Sequence, residues 1–430
     1  MIKKLIIVFI TFFALQSYAQ EGTASPYSFY GIGSLKFKGT VENRSMGGLS
    51  IYTDSIHLNL SNPAGYAGNN LKAFNNESRP VKFTLGGTYS SVNLKNATES
   101  DKTSTTTFDY FALNVPMGKF GLTLGLMPYT SVGYKLQSMD GDMLSNRYTG
   151  EGGLNRAFTG IGYQITEDLS VGAEVSYNFG NIQNTVVEFL YDDDGDLVEY
   201  QTRENNRSDL SGLNVNLGLS YKTMISDKLQ LTTGFTYTPS SEVVSKNERD
   251  FSTIVINSLT GEEFVMNTLP SENLNETNLT LSSKVSFGAG IGQPRKWFVG
   301  AEYTTQEASG FSNSLFTTDN ATFVNATSIK FGGFYIPNYE SFSNYWKRVT
   351  YRAGVHFEHT GLKINNEDIR EFGMSFGAGL PMGGLFSSAN LGVEFGKRGT
   401  TNQNLIQENF VNFQISLSLN DRWFQKIKYN

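Results

Sequence analysis

The chain has no cysteine among its 430 residues. Disulfides therefore take no part in its stability, and the acylated cysteine of a lipoprotein is excluded. Beyond the first twenty residues it also lacks any run of 18 or more apolar residues, which excludes a protein that crosses a membrane by helices. Charge is scarce: Asp, Glu, Lys and Arg make up 17%, and the net value of -6 leaves no basic footprint for nucleic acid. No nucleophile elbow, zinc signature or P-loop occurs, so the sequence reads as a non-enzyme with no cofactor. Glycine, at 44 residues, and aromatics, at 13%, are what the chain has in quantity.

From about Val81 to Phe424 apolar and polar residues alternate at period two. In the last such run Val411, Phe413, Ile415, Leu417 and Leu419 take one face, while Asn412, Gln414, Ser416, Ser418 and Asn420 take the other. Successive strand side chains point to opposite faces, so each run has an oily side and a wet side. Repeated many times, the pattern predicts an all-β, antiparallel transmembrane barrel with lipid outside and a polar lumen. The runs fall at about 81–93, 105–116, 119–129, 154–165, 168–179, 209–223, 227–238, 276–291, 296–306, 324–336, 348–359, 369–381, 386–397 and 408–420. These are about fourteen strands, and an even count puts both barrel ends on one side.

The connections are alternately short and long, which assigns periplasm and exterior. Pro116 to Lys119, Ile165 to Asp168, Met224 to Lys228, Gly292 to Lys296 and Pro381 to Leu385 are the tight periplasmic turns. Among the long ones, Val186 to Tyr191 around Asp194-Gly195, and Thr253 to Leu259 around Thr260-Gly261, read as hairpins standing above the membrane. Pro337 to Lys347, on the periplasmic side, is longer and aromatic. With Trp297, Trp346, Trp423 and Phe424 it suggests anchors at the headgroup level.

Two stretches break the rhythm before strand one. Lys3 and Lys4, an apolar run from Leu5 to Leu15, and Ser17-Tyr18-Ala19 predict an export signal over residues 1–19, cleaved after Ala19. Residues 20–80 are rich in glycine, serine and scattered aromatics without alternation. They are too apolar for a linker, and a fourteen-strand lumen is wider than wall side chains can fill. They predict a hatch inside the barrel formed by residues 81–430.

Three features of this segment resemble the FadL/TodX family of outer membrane transporters for long-chain fatty acids and other hydrophobic compounds, in a Bacteroidetes type. They are the aromatic start ending in Gly31-Ile32-Gly33, Arg44-Ser45-Met46-Gly47-Gly48, and Asn62-Pro63-Ala64-Gly65 just ahead of the first strand. The resemblance implies a fourteen-strand barrel with an N-terminal hatch in the cell outer membrane. It further implies uptake of a hydrophobic molecule and its lateral release into the bilayer where strand three kinks, with Asn62, Pro63 and Ala64 beside that kink. A FadL-like barrel also serves as a shuttle component of the type IX secretion system, so an interaction protein with secretion partners is the alternative. A porin is disfavoured, since a hatch blocks what a porin leaves open.

Strand three itself reads Leu122, Leu124, Leu126 and then Pro128-Tyr129. Proline cannot donate to the ladder, so Pro128 either breaks the strand or ends its membrane part. Tyr27, Phe29, Tyr30 and Ile32 are candidates for contact with a hydrophobic tail or for packing the hatch on the wall. Arg44 suits a ligand carboxylate, but an internal pair with Glu174, Glu302 or Glu394 is favoured because lumen charges need partners. Asp192-Asp193-Asp194-Gly195-Asp196 lacks the full calcium-loop pattern and reads as a solvated tip. His356 and His359, with Glu358, read as an exposed rim rather than a metal site. Glycines 288, 290, 292, 377 and 379 read as room for the hatch or for barrel curvature.

Overall fold

The computed structural model describes residues 22–54, 56–67, 81–257, 260–307, 320–382 and 388–421. The export signal, the end of the predicted hatch, the Pro381 to Leu385 turn beyond residue 382, and Trp423 with Phe424 lie outside them.

Fourteen antiparallel strands form one closed barrel. They are β1 (Val81–Lys95), β2 (Ser100–Met117), β3 in two pieces (Phe120–Pro128 and Thr130–Asp140), β4 (Met143–Gln164), β5 (Leu169–Glu188) and β6 (Gln201–Met224). Next come β7 in two pieces (Gln230–Thr238 and Ser241–Ile256) and β8 in three (Glu263–Thr268, Glu272–Leu281 and Lys284–Gln293). The ring continues through β9 (Trp297–Gln306), β10 in two pieces (Ala321–Phe323 and Ala326–Tyr335), β11 (Thr350–Ile364), β12 (Glu367–Pro381), β13 (Ser388–Arg398) and β14 (Gln407–Asp421). Each strand pairs with its neighbour in sequence, and β14 closes on β1 from Val81↔Asp421 to Lys95↔Gln407.

Burial along the strands is inverted relative to a soluble protein. On β14, Phe413 and Ile415 are about half exposed while Gln414, Ser416 and Ser418 are buried. The same holds on β9 and β10, where Val299, Tyr303, Ile329 and Phe331 face outward and Glu302 is buried. A continuous apolar exterior over a polar interior is the surface of a barrel solvated by lipid. Among the described residues no helix is long and apolar enough to cross a membrane.

Four of the five tight turns, after Met117, Gln164, Met224 and Gln293, lie where the sequence puts them. Among the described residues the exterior is mostly paired strand rather than long loop. β2, β4, β5, β6, β7 and β8 run on as paired strands well past the apolar band, and several end in short turns, such as Asn365 and Asn366 between β11 and β12, both at positive φ. The reason is physical: above the bilayer both faces are wet, so alternation disappears from the sequence although the ladder continues. The hairpin tip around Asp194-Gly195 is closed by a Tyr191↔Leu197 bridge, with Gly195 at φ +83°. The second hairpin pairs Ser252–Ile256 with Glu263–Thr268. In the connection from Pro337, a short 3-10 turn, Tyr345–Lys347, holds Trp346 outward against Tyr345.

Residues 22–67, as far as described, lie within the ring. Their helix α1 (Val41–Arg44), capped by Thr40, packs on β12–β14, and of the two 3-10 turns Pro26–Phe29 packs on β3 and Pro63–Tyr66 on β3–β6. Glycines admit this segment to the wall: a Cβ at Gly332 or Gly354 would meet the Met46 main chain, and one at Gly172 would meet Pro63. Gly288 makes room for Ile51 and Gly377 for Ser45, whereas a Cβ at Gly290, Gly292 or Gly379 would meet barrel residues instead.

Candidate functional site: a gap in the wall beside a charged lumen

The wall is interrupted at Tyr129. β2 pairs with β1 along Ser100–Asn114, but with β3 only from Phe111↔Leu126 to Met117↔Phe120. Beyond that level β3 stays with β4, through Pro128↔Asn155 and then Val132↔Gly152, and leaves β2 behind. Tyr129 falls between the two pieces; its N–H donates to Leu154 O at 2.7 Å, and the Arg156 guanidinium lies 4.0 Å over its ring. The freed edge of β3 is taken up by the inner segment, with Ser34↔Ser131 and Leu35↔Thr130, and the Lys36 N–H donates to Tyr129 O at 3.0 Å. A cavity of about 360 Å3 opens at the break, between Thr106–Phe108 on one side and Pro128, Thr130 and Ser131 on the other. Lys36 borders it; burial pushes its amine down to about 8, against the opposing pull of Asp109.

The Asn62-Pro63-Ala64-Gly65 motif sits elsewhere. Asn62 Oδ1 accepts from Ala64 N–H at 3.0 Å and its amide donates to Leu219 O at 3.1 Å, which fixes the turn on β5 and β6. The resemblance implied a place beside the kink, but the close contacts of Asn62 and Pro63 are with Gly172 and Gly218 on those two strands. Tyr66, at the end of the turn, carries the connection instead: it packs with Met127, Tyr110 and Phe158 and donates to Glu174 Oε2 at 2.5 Å.

The aromatic start lies on the outer half of the wall. Phe29 meets Tyr134 and Tyr148 edge-on at 5.1 and 5.9 Å, with Ile32 in the same cluster. Tyr27 donates to Ile406 O and packs with Leu362, Ile364 and Ile369, and Tyr30 lies against this second group.

The lumen is held by ion pairs. Arg44 bonds Asp109 at 3.2 Å and Glu394 at 3.1 Å, so an internal pair is formed, with Glu394 as one of the three acids considered. Asp109 reaches it because a bulge shifts the β1–β2 register between Gly86 and Gly87, which turns this residue inward. Glu302 instead binds Lys330 at 2.9 Å and the Ser50 N–H at 2.7 Å. Lys38 bonds Glu371 at 2.5 Å and Glu358 at 3.2 Å, and Arg398 bonds Glu371 at 2.6 Å. A lumen cavity of about 190 Å3 is bordered by Arg156, Lys284 and Lys330 together with Glu174, Glu302 and Glu358.

His356 is buried in the lumen wall, with Nε2 3.1 Å from Glu371 and Nδ1 3.9 Å from Glu394, and is no part of an exposed rim. Its strand extends outward past the predicted end to Ile364, so the residue sits mid-wall on the inner face. His359 is partly exposed, 3.4 Å from Asp368. The acidic run is a hairpin tip in which Asp192 Oδ1 accepts from the Asp194 and Asp196 N–H groups. Among the described residues no group of three or more His, Asp or Glu is arranged to hold a metal ion. Lys36, Lys38, Asp109 and Arg398 were missed in the sequence; only the strong polarity of their positions on otherwise clean strands could have flagged the last two.

Solved structures share this architecture. The Pseudomonas putida toluene transporter TodX matches with a TM-score of 0.59 at 16% identity, over 91% of this chain and 100% of that one. A Pseudomonas aeruginosa FadL homologue matches at 0.60 and 13% identity, over 91% and 100%. The Ralstonia pickettii toluene transporter TbuX matches at 0.54 and 13%, over 89% and 98%. At such identities the likeness establishes a FadL-type barrel fold. No curated protein sequence matches closely enough to count as a relative. The family model described as BamG matches residues 1–430, the full length, and the chain therefore belongs to the BamG family.

Proposed function

We propose that the protein is an outer membrane channel, exported by a cleaved signal, through which hydrophobic small molecules, long-chain fatty acids among them, enter and leave sideways at Tyr129. Residues 20–80 act as its hatch. The observation that carries the reading is the loss of the β2–β3 ladder above Phe111 beside a cavity of about 360 Å3. A route through the wall lets an apolar solute reach the bilayer without crossing the charged lumen, where desolvated ion pairs offer it nothing. Two structural neighbours are toluene transporters, which supports a hydrophobic cargo.

The experiment is a reversible closure. Because the chain has no cysteine, Thr107→Cys with Ser131→Cys places one unique pair across the gap. Oxidation is expected to abolish oleate and toluene uptake by intact cells, and reductant to restore it; uptake unaffected in the oxidised variant would refute the lateral route.

A second reading, an interaction barrel serving a secretion system, is favoured by one specific observation. The outer hairpins expose Leu190, Val198, Tyr200, Phe264, Val265 and Met266 beyond the membrane band. Loss of a co-purifying partner on Phe264→Asp, with uptake intact, would support that reading over the channel.

A further inference from the structure

The same break leaves a β-edge that transport does not require. β2 is bonded to β1 along Ser100–Asn114 apart from the bulge at Asp109, yet on its β3 side Ser100–Phe108 has no strand partner among the described residues. The opposite edge is different: its base is taken by Ser34 and Leu35, and the Gly133 N–H donates to Ser28 Oγ at 3.0 Å. The barrel thus already accepts an added strand on one lip of the gap and leaves the other lip open.

An open edge is ordinarily guarded by proline, by charges along it, by a bulge or by a covering element. Along Ser100–Phe108 there is no proline, and the charges, Asp101 and Lys102, stand at the outer end. The bulge lies below, at Asp109. Thr103, Thr105, Thr106 and Thr107 are β-branched residues that favour extended backbone. Ser104, Thr106 and Phe108 are exposed on the outward face. Nine residues of strand span about 30 Å. Water satisfies main-chain groups singly and without order, whereas an extended polypeptide supplies donors and acceptors together at strand spacing.

We propose that the Ser100–Phe108 edge of β2 is a strand-addition site for an extended, uncharged, β-prone segment of another polypeptide, with small side chains where it passes between Phe108 and Ser131, which line the cavity from opposite lips. Recognition is through the main chain, so it depends on backbone amides more than on side-chain identity. The inference goes beyond the channel reading and does not depend on it.

The test is hydrogen exchange of the full-length protein in lipid nanodiscs, with a threonine- and valine-rich octapeptide as probe. Amides of Ser100–Phe108 that point into the gap are expected to exchange at least tenfold faster than those of Phe111–Met117. The octapeptide should slow them at least tenfold, a shuffled peptide of the same composition should act similarly, and a peptide N-methylated at alternate residues should have no effect. Ser104→Lys with Thr106→Lys should weaken the protection tenfold while leaving exchange of β4 and β5 unchanged. Protection already present in the free protein, no response to the octapeptide, or an equal response to the N-methylated peptide would each overturn the proposal.

Discussion

Arg44→Met is the most decisive perturbation of the inner segment. The arginine side chain is 11% exposed and joins Asp109 and Glu394, whose side chains are 12% and 6% exposed. Removing one partner of a buried pair costs about 3–5 kcal/mol, because the charge left behind is uncompensated. The lower end applies here: Glu394 keeps donors from Asn412 and Gln414 at 3.0 Å each, and Asp109 keeps Thr107 at 2.9 Å. A loss of about 3 kcal/mol corresponds to about a hundredfold easier release of the segment from the wall. The assay is amide exchange at Gly47 and Ser50, whose N–H groups donate to Ser375 Oγ at 2.9 Å and Glu302 Oε2 at 2.7 Å across that contact. Planar-bilayer conductance provides a second measure, since a displaced segment uncovers a water path. Adding Asp109→Asn and Glu394→Gln removes the stranded charges and should recover most of the loss. Unchanged exchange in Arg44→Met, or a triple variant as loose as the single one, would refute the reasoning.

Gly332→Val and Gly354→Val should each cost about 1–3 kcal/mol by driving a side chain into the Met46 main chain, and should raise conductance. Gly195→Ala, on an open tip at φ +83°, should cost about 1 kcal/mol without effect on conductance; thermal melts separate the two classes. Tyr66→Phe strands the Glu174 carboxylate and should loosen the segment by about 1–3 kcal/mol, with Glu174→Gln restoring it, as read by protease protection. The Lys36 amine is lowered from its ordinary value to about 8, so the folded state gives up its proton before the unfolded chain does. Stability of the segment should therefore rise as pH climbs from about 8 toward 10, and Lys36→Met should flatten that slope in exchange measurements between pH 7 and 10.

Period-two alternation was enough to determine the barrel and its strand number, because lipid and lumen impose opposite demands on successive residues such as Phe413 and Gln414. The same logic could not see the exterior. Ser100–Ser104 is wet on both faces and reads as loop, though it is strand, and His356 reads as rim because the alternation fades before its strand ends at Ile364. Pro128 marked the interruption in strand three, since the missing N–H is a property of the residue itself. Whether the wall parted there depended on β4 holding both pieces of β3 while β2 held one, and on Ser34 and Leu35 claiming the freed edge. The ion pairs were beyond reach for a similar reason: Arg44 and Glu394 lie 350 positions apart. Local pattern determines which side of a strand a residue faces. Only closure of the ring decides what stands across from it, because that contact is set by strand register and by the path of the inner segment, not by neighbours in sequence.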